Sequence, residues 1–259
     1  VSEDREELDG NIAGVWCRRI EEAREWDRAW RERVAPSAEK QYRVEAARDF
    51  PILRANVDTI RPHLLSAPPI PDIRYREGFA EDEAVRIGAA VVERVLAVAL
   101  DDSAMRELLA AVTDMLVVGR GVARVLYEPV LSDGHLIDQR VRVRHVPWRR
   151  FIVSPSECWR DVAWVAFEHH MTRAEIGAQF GEDARRQVST DAADGGSEQR
   201  DKKAREGRVR VWEVWDKAKR QVVFAAPSYR DAPLLVADDP LRLEGFFPVA
   251  EPLCSSVDG

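Results

Sequence analysis

Cysteine is scarce in this chain: three in 259 residues, at Cys17, Cys158 and Cys254. An odd number at such wide spacing offers neither a disulfide framework nor a CxxC metal knuckle, and it fits a reducing compartment better than a secreted one. Long apolar runs are missing too. The best candidate, Ala89 to Leu100, is interrupted by Glu93 and Arg94, so no stretch reaches the roughly 20 apolar residues that span a bilayer. The N-terminal stretch is acidic and polar, unlike a signal peptide, and a soluble protein that stays where it is made is expected. There is no GxxxxGK[ST] phosphate loop and no GxGxxG between a strand and a helix; Gly119-Arg120-Gly121 makes neither. No serine sits in a GxSxG elbow, and Cys158 has no candidate base nearby in sequence. The common nucleotide-binding and nucleophilic enzyme classes are thereby without support.

Positive charge is also in deficit. Lys and Arg number 39 against 46 Asp and Glu, for a net charge of −7. Domains that hold nucleic acid by neutralising phosphates are usually basic, so this balance argues against tight DNA binding. It leaves room for a surface past which DNA slides. Hydrophobic residues make up 45% and charged residues 33%, as in a globular protein with a highly charged exterior and enough chain to bury a core.

The stretch around which the rest is arranged runs from Asp49 to Glu77. Ile52, Leu53, Val57, Ile60 and Leu64 recur at three- and four-residue steps and share one helical face. Pro62 and then Ala67-Pro68-Pro69-Ile70-Pro71 stop that helix, and Asp72 to Arg76 alternates like a strand. Before it, Glu7 to Val34 reads as one long helix ended by Ala35-Pro36-Ser37. Its stripe holds Trp16, Trp26 and Trp30, read as core or subunit-interface packing in preference to a partner-binding surface. After it, a helix from Glu81 to Leu100 is followed by another through Met105, Leu108, Val112 and Met115, stopped by Gly119.

From Val122 the period changes to two. Val122–Glu128 and Leu136–His145 flank Ser132-Asp133-Gly134, a hairpin signal. Arg140, Arg142 and Arg144 fall on one face of the second strand, and Arg149 and Arg150 follow. This row is the best candidate for contact with something acidic: DNA, or a neighbouring subunit, with the charge balance favouring the subunit. Thr172-Arg173-Ala174-Glu175 is a capping box opening a helix over 173–180, and 187–207 reads as a mobile polar loop. Trp212 and Trp215 lie in the strand Arg208 to Asp216, where cross-strand packing outweighs a role as stacking platforms for single strands. Glu168-His169-His170 is the most metal-like cluster, but adjacent histidines on a strand point to opposite faces. Asp238-Asp239 next to Pro240 reads as a turn. No catalytic residue, metal site or cofactor is assigned. The expected class is α+β: long N-terminal helices packed on a mostly antiparallel sheet, with a helical part over 1–120 (including a proline elbow and short strand at 67–77) and a β-rich part over 121–259.

Several of these fragments occur together in a known family. Asn56-Val57-Asp58-Thr59-Ile60 before the proline elbow, the helix running into Gly119-Arg120-Gly121, Phe151-Ile152-Val153-Ser154-Pro155, Trp164-Val165-Ala166 with Met171-Thr172-Arg173-Ala174-Glu175-Ile176, and Val211-Trp212-Glu213-Val214-Trp215-Asp216-Lys217 followed by Asp239-Pro240-Leu241 and Gly245-Phe246-Phe247-Pro248 stand in one order. In this they resemble the portal proteins of short-tailed bacteriophages, over about Asp49 to Pro252. The resemblance implies a subunit of the dodecameric ring at one vertex of the phage head. Such a ring nucleates head assembly with capsid and scaffold proteins, docks the terminase and the tail adaptor, and passes double-stranded DNA non-specifically, in the virion and, during assembly, in the host cytoplasm. No membrane and no phosphoryl transfer is implied. Family members continue into stem helices, a clip and a crown, so the chain is expected to be the wing-like N-terminal part, either as a fragment or as a truncated prophage version. Two other classes compete with this reading. One is a metal-dependent nucleic-acid-processing enzyme built on His169, His170 and acidic clusters; the other is an adaptor using its tryptophan-rich first helix.

Overall fold

The computed structural model describes residues 11–43, 51–74, 83–132, 135–189, 207–243 and 245–254. Helix α1 (Ile12–Trp26) begins where the Asn11 side chain accepts a hydrogen bond from the Gly14 N–H at 3.0 Å, satisfying one orphan donor of the first turn. The single helix expected over 7–34 is interrupted after Trp26, and a π-type turn (Trp30–Val34) leads into α2 (Ala35–Tyr42). Pro36 thus opens a helix where the sequence suggested an end, because its missing N–H is no loss in a first turn; residues 7–10 lie outside the described ones. Helix α3 (Ile52–Leu64) carries Pro62 in its last turn. Within the elbow and short strand expected over 67–77, the strand at 72–76 does not form at residues 72–74, where no described strand pairs with the segment; residues 75–77 lie outside the description, as do Asp49 and 190–206 of the expected loop.

Helices α4 (Glu83–Ala99) and α5 (Asp102–Val118) follow. Helix α5 is capped at its start by Asp101, whose carboxylate accepts from the Ala104 N–H at 2.8 Å. It ends at Gly119, whose φ of 87° is the left-handed cap that a side chain would strain. The strands are β1 (Arg120–Gly121), β2 (Ala123–Ser132), β3 (His135–His145), β4 (Phe151–Val153) and β5 (Trp164–Met171). Helices α6 (Arg173–Phe180) and α7 (Glu182–Gln187) precede β6 (Val209–Asp216), β7 (Gln221–Ala225), β8 (Leu235–Asp238) and β9 (Leu253–Cys254). The expected capping box is formed: Thr172 accepts from the Glu175 N–H, and Glu175 accepts from the Thr172 N–H. With helices leading and antiparallel sheets following, the class is α+β.

The chain divides into two units. The first joins Val1–Arg31 to Arg149–Phe247 and holds the antiparallel sheet β4-β5-β6-β7-β8. Strand alternation puts Trp164, Ala166, Trp212 and Val214 on one face, together with Ile152 and Val223, and Trp16, Ile20 and Ala23 of α1 pack onto them. The opposite face presents Val209 and Val211, covered by Ile176, Ala184 and Val188 from α6 and α7 and the residue after them. A sheet covered on both faces explains why β5 and β6 read as nearly continuous apolar runs.

The second unit joins Glu32–Trp148 to Pro248–Gly259. Helices α2, α3 and α5 pack on one another, and α5 lies against β1 and the base of the β2–β3 hairpin. Two contacts from α5 fix that base: the His145 N–H donates to Glu107 Oε2 at 2.7 Å, and His145 Nε2 lies 2.7 Å from Asp114 Oδ2. Strand β9 pairs with β1, and the Val125 N–H donates to the Pro248 carbonyl at 2.8 Å. Gly121 sits where a Cβ would come within 2.1 Å of the Ala111 carbonyl oxygen, so only glycine lets the chain leave α5 at this distance. Helix α4 differs from its neighbours in having no buried residue.

Candidate functional site

Arg140, Arg142 and Arg144 share one face of β3, and the antiparallel register sets them opposite Glu128, Leu126 and Arg124 of β2. All three are exposed, yet two already have acidic partners within the hairpin. Arg142 Nε is 2.9 Å from Glu128 Oε2, and Arg140 Nε is 2.9 Å from Asp138 Oδ2. The Arg140 side chain, and next the Gln139 N–H, hold the Asp138 carboxyl below its usual range. Exposed pairs of this kind add little stability, but they reduce the charge available to an outside partner. Arg149 and Arg150 belong to the 3-10 turn Trp148–Arg150 and not to the β3 row. The register therefore keeps three of the five candidate arginines together.

The other face of the hairpin is apolar. Val125 and Tyr127 of β2 stand opposite Val143 and Val141 of β3, and Val125, Tyr127 and Val141 are exposed. In an antiparallel sheet the apolar face ordinarily meets the core; here α5 meets that face at the hairpin base, through His145, while Val125, Tyr127 and Val141 beyond it stay exposed. Helix α4 adds a second uncovered apolar surface of the same unit, through Ile87, Val91, Val92, Val95, Leu96 and Val98.

The tryptophans separate into different roles. Trp16 is buried and meets Trp164 edge-on at 5.7 Å between ring centroids, which is core packing. Trp212 is buried beneath α1, and Trp215, three residues on and so on the other face, donates its indole N–H to Glu213 Oε1 at 2.7 Å. Neither is open to stack on a base. Trp30 is half-buried, with the Arg31 guanidinium over its ring, and Trp26 is exposed. The long stripe on the first helix is therefore core at Trp16 and surface at Trp26, the last residue of α1, and Trp30 falls beyond that helix.

His169 and His170 do point to opposite faces of β5. His169 Nε2 lies 2.7 Å from Glu213 Oε2 on one face, and His170 Nε2 lies 2.8 Å from Glu168 Oε1 on the other. Among the described residues no group of three or more His, Cys, Asp or Glu is placed to hold a metal. The Glu168 side is instead a structural network that sequence spacing did not reveal. Arg24 of α1 reaches Glu168 Oε2 at 2.7 Å and lies with its guanidinium 4.9 Å from the centre of the Trp212 ring. Burial pushes the Glu168 carboxyl up, but the hydrogen bond from His170 and the charges of Arg24, His170 and Arg210 outweigh it and leave it below its usual value. Ion pairs 144 residues apart carry no local signal.

The cysteines are chemically unlike. Burial raises the Cys17 thiol to about 11, whereas Cys158 is exposed, with Sγ 3.0 Å from Asp161 Oδ2. With a maleimide at pH 7.5 under native conditions, Cys158 is expected to label within minutes and Cys17 only on unfolding. Peptide mapping by mass spectrometry reads this directly, and rapid native labelling of Cys17 would contradict the α1 packing.

No helix among the described residues is long and apolar enough to cross a membrane. Arranged this way, the chain offers packing surfaces and an arginine row, with helices and sheets in the succession that the sequence fragments outline. None of the curated proteins matches it. The model of the phage P22-like portal protein family matches residues 80–251, from the start of α4 through the hairpin and the whole five-stranded sheet. That match covers well over half the chain, which therefore belongs to the phage P22-like portal protein family.

Proposed function

We propose that the chain is the wing-like part of a subunit in a dodecameric portal ring, through which double-stranded DNA is packaged into the phage head and later ejected. The role is structural: the ring nucleates head assembly, docks the terminase and the tail adaptor, and leaves phosphoryl transfer to the terminase. The observation that carries this reading is the family match across α4 to β8. The net charge of −7 suits a conduit that must not retain its cargo. Within this reading, Arg140, Arg142 and Arg144 face an acidic strip on the adjoining subunit, a contact that their exposure permits. The metal-dependent enzyme has no observation in its favour, since His169 and His170 are each engaged with a glutamate on separate faces.

The test is genetic. A phage or prophage lacking this gene is expected to yield heads without DNA, and the gene supplied in trans restores DNA-filled heads with tails attached. Filled heads in the deletion strain would overturn the proposal.

A further inference from the structure

Among the described residues, two apolar surfaces of the second unit are left exposed, and they are of complementary kinds. Helix α4 exposes Ile87, Val91, Val92, Val95, Leu96 and Val98, each between 38 and 78% exposed. Together these show roughly 600 Å² of apolar surface, at the upper limit of the largest patch on an ordinary monomer. Gly88 lies within the same arc, and a Cβ built on it meets nothing within 4 Å. Glycine inside a helix weakens it relative to alanine, and among the described residues nothing approaches this glycine closely enough to require it. A backbone arriving from outside would.

The second surface is the hairpin face of Val125, Tyr127 and Val141, between 47 and 57% exposed, which adds roughly 300 Å² by the same reckoning. Strands β2 and β3 form a two-stranded sheet on their own, and an isolated hairpin of this kind is marginal in water until its apolar face is covered. A helix laid on a sheet face is one of the stable ways to cover both. The 17 residues of α4 extend about 25 Å and the 10 residues of β2 about 33 Å, so the helix fits along the hairpin. Within the chain α4 approaches β3 but buries no residue of its own.

We infer that α4 of one copy packs on the apolar hairpin face of the next copy. This rests on the portal-ring reading, and it names the surfaces that close the ring. A ring needs a head-to-tail contact between two different patches, not one patch meeting itself, and this unit presents two. Their combined apolar surface of roughly 900 Å² is close to the apolar share of an interface of standard size, about 60% of 1,600 Å². Both elements lie within the residues that match the family.

Three variants of the full chain test the inference, each carrying changes at exposed positions that leave the monomer's core alone: Val91→Glu with Val95→Glu on α4, Tyr127→Glu with Val141→Glu on the hairpin, and Gly88→Leu. Circular dichroism checks folding and mass photometry reads the assembly. Wild-type protein is expected to form rings, and each variant alone is expected to stay folded and lose them. Mixing the α4 double variant with the hairpin double variant pairs one intact helix with one intact hairpin, so one-to-one heterodimers that grow no further are expected. Rings from any variant alone, or a mixture that remains monomeric while the wild type forms rings, overturns the inference and leaves the portal reading standing. A wild type that never assembles overturns this interface, and the portal reading with it where a longer protein containing the chain is monomeric too.

Discussion

Glu168→Ala is expected to destabilise the first unit by about 3 kcal/mol at pH 7. The carboxylate is buried between Arg24 of α1 and His170 of its own strand. Removing one partner of a buried pair leaves the others with desolvated charge and unmet hydrogen bonds. We take the lower end of the usual range because Arg24 retains its Trp212 contact and is about one-third exposed. The double change Glu168→Leu with Arg24→Met is expected to recover at least half of the loss, since apolar replacements of both partners remove the unpaired groups. The effect also has a pH signature. Glu168 is held below the ordinary glutamate value of 4.5, so its contribution is complete above about pH 4.5 and disappears as pH falls through the folded-state value. Urea unfolding at pH 7 and at pH 3 should therefore show a larger difference between wild type and Glu168→Ala at the higher pH than at the lower. Equal differences at both would contradict the network.

Gly121→Ala is expected to cost the second unit about 3 kcal/mol, the upper range for overpacking. The added methyl would sit 2.1 Å from the Ala111 carbonyl oxygen and 3.1 Å from Met115 Cβ. The first of these is backbone inside α5, so no rotamer change relieves it, and either α5 or β1 must shift. Because β1 pairs with β9 and α5 holds the base of the hairpin through Glu107 and Asp114, the shift disturbs both. Gly119→Ala strains only a left-handed cap and is expected to cost about 1 kcal/mol. The ordering of the two variants in thermal melts, with Gly121→Ala much the worse, checks the close approach; the reverse ordering would contradict it.

The elements most legible in the sequence are those set by local rules. The capping box at Thr172, the stop at Gly119 and the hairpin flanking 133–134 all depend on residues within a few positions of one another, and all stand as read. What was not legible depends on partners far away in the chain. Strand β8, between Pro233 and Pro240, takes its ladder from β7, while β9 is two residues long and exists through β1. The strand expected at 72–76 had the alternation but finds no described partner at 72–74, and alternation without a ladder is not a strand. The tryptophan stripe was read at helical period through Val34, but the helix ends at Trp26.

The candidate surface divides along the same line. The arginine face of β3 follows from period two alone and is present. That Arg142 meets Glu128 depends on register, whereas Arg140 meets Asp138 two residues away on its own strand. The exposed state of α4 was the least accessible of all, since its Val- and Ala-rich sequence reads as core. Apolar composition says that a helix will be covered, and not by which chain.

The measurement that tests the central claim most directly is imaging of the purified protein by negative stain, with mass photometry of the same sample. The portal reading predicts closed rings with about twelve-fold symmetry and a central hole wide enough for a DNA duplex. A strict monomer at micromolar concentration, in this chain and in any longer protein that contains it, would contradict it.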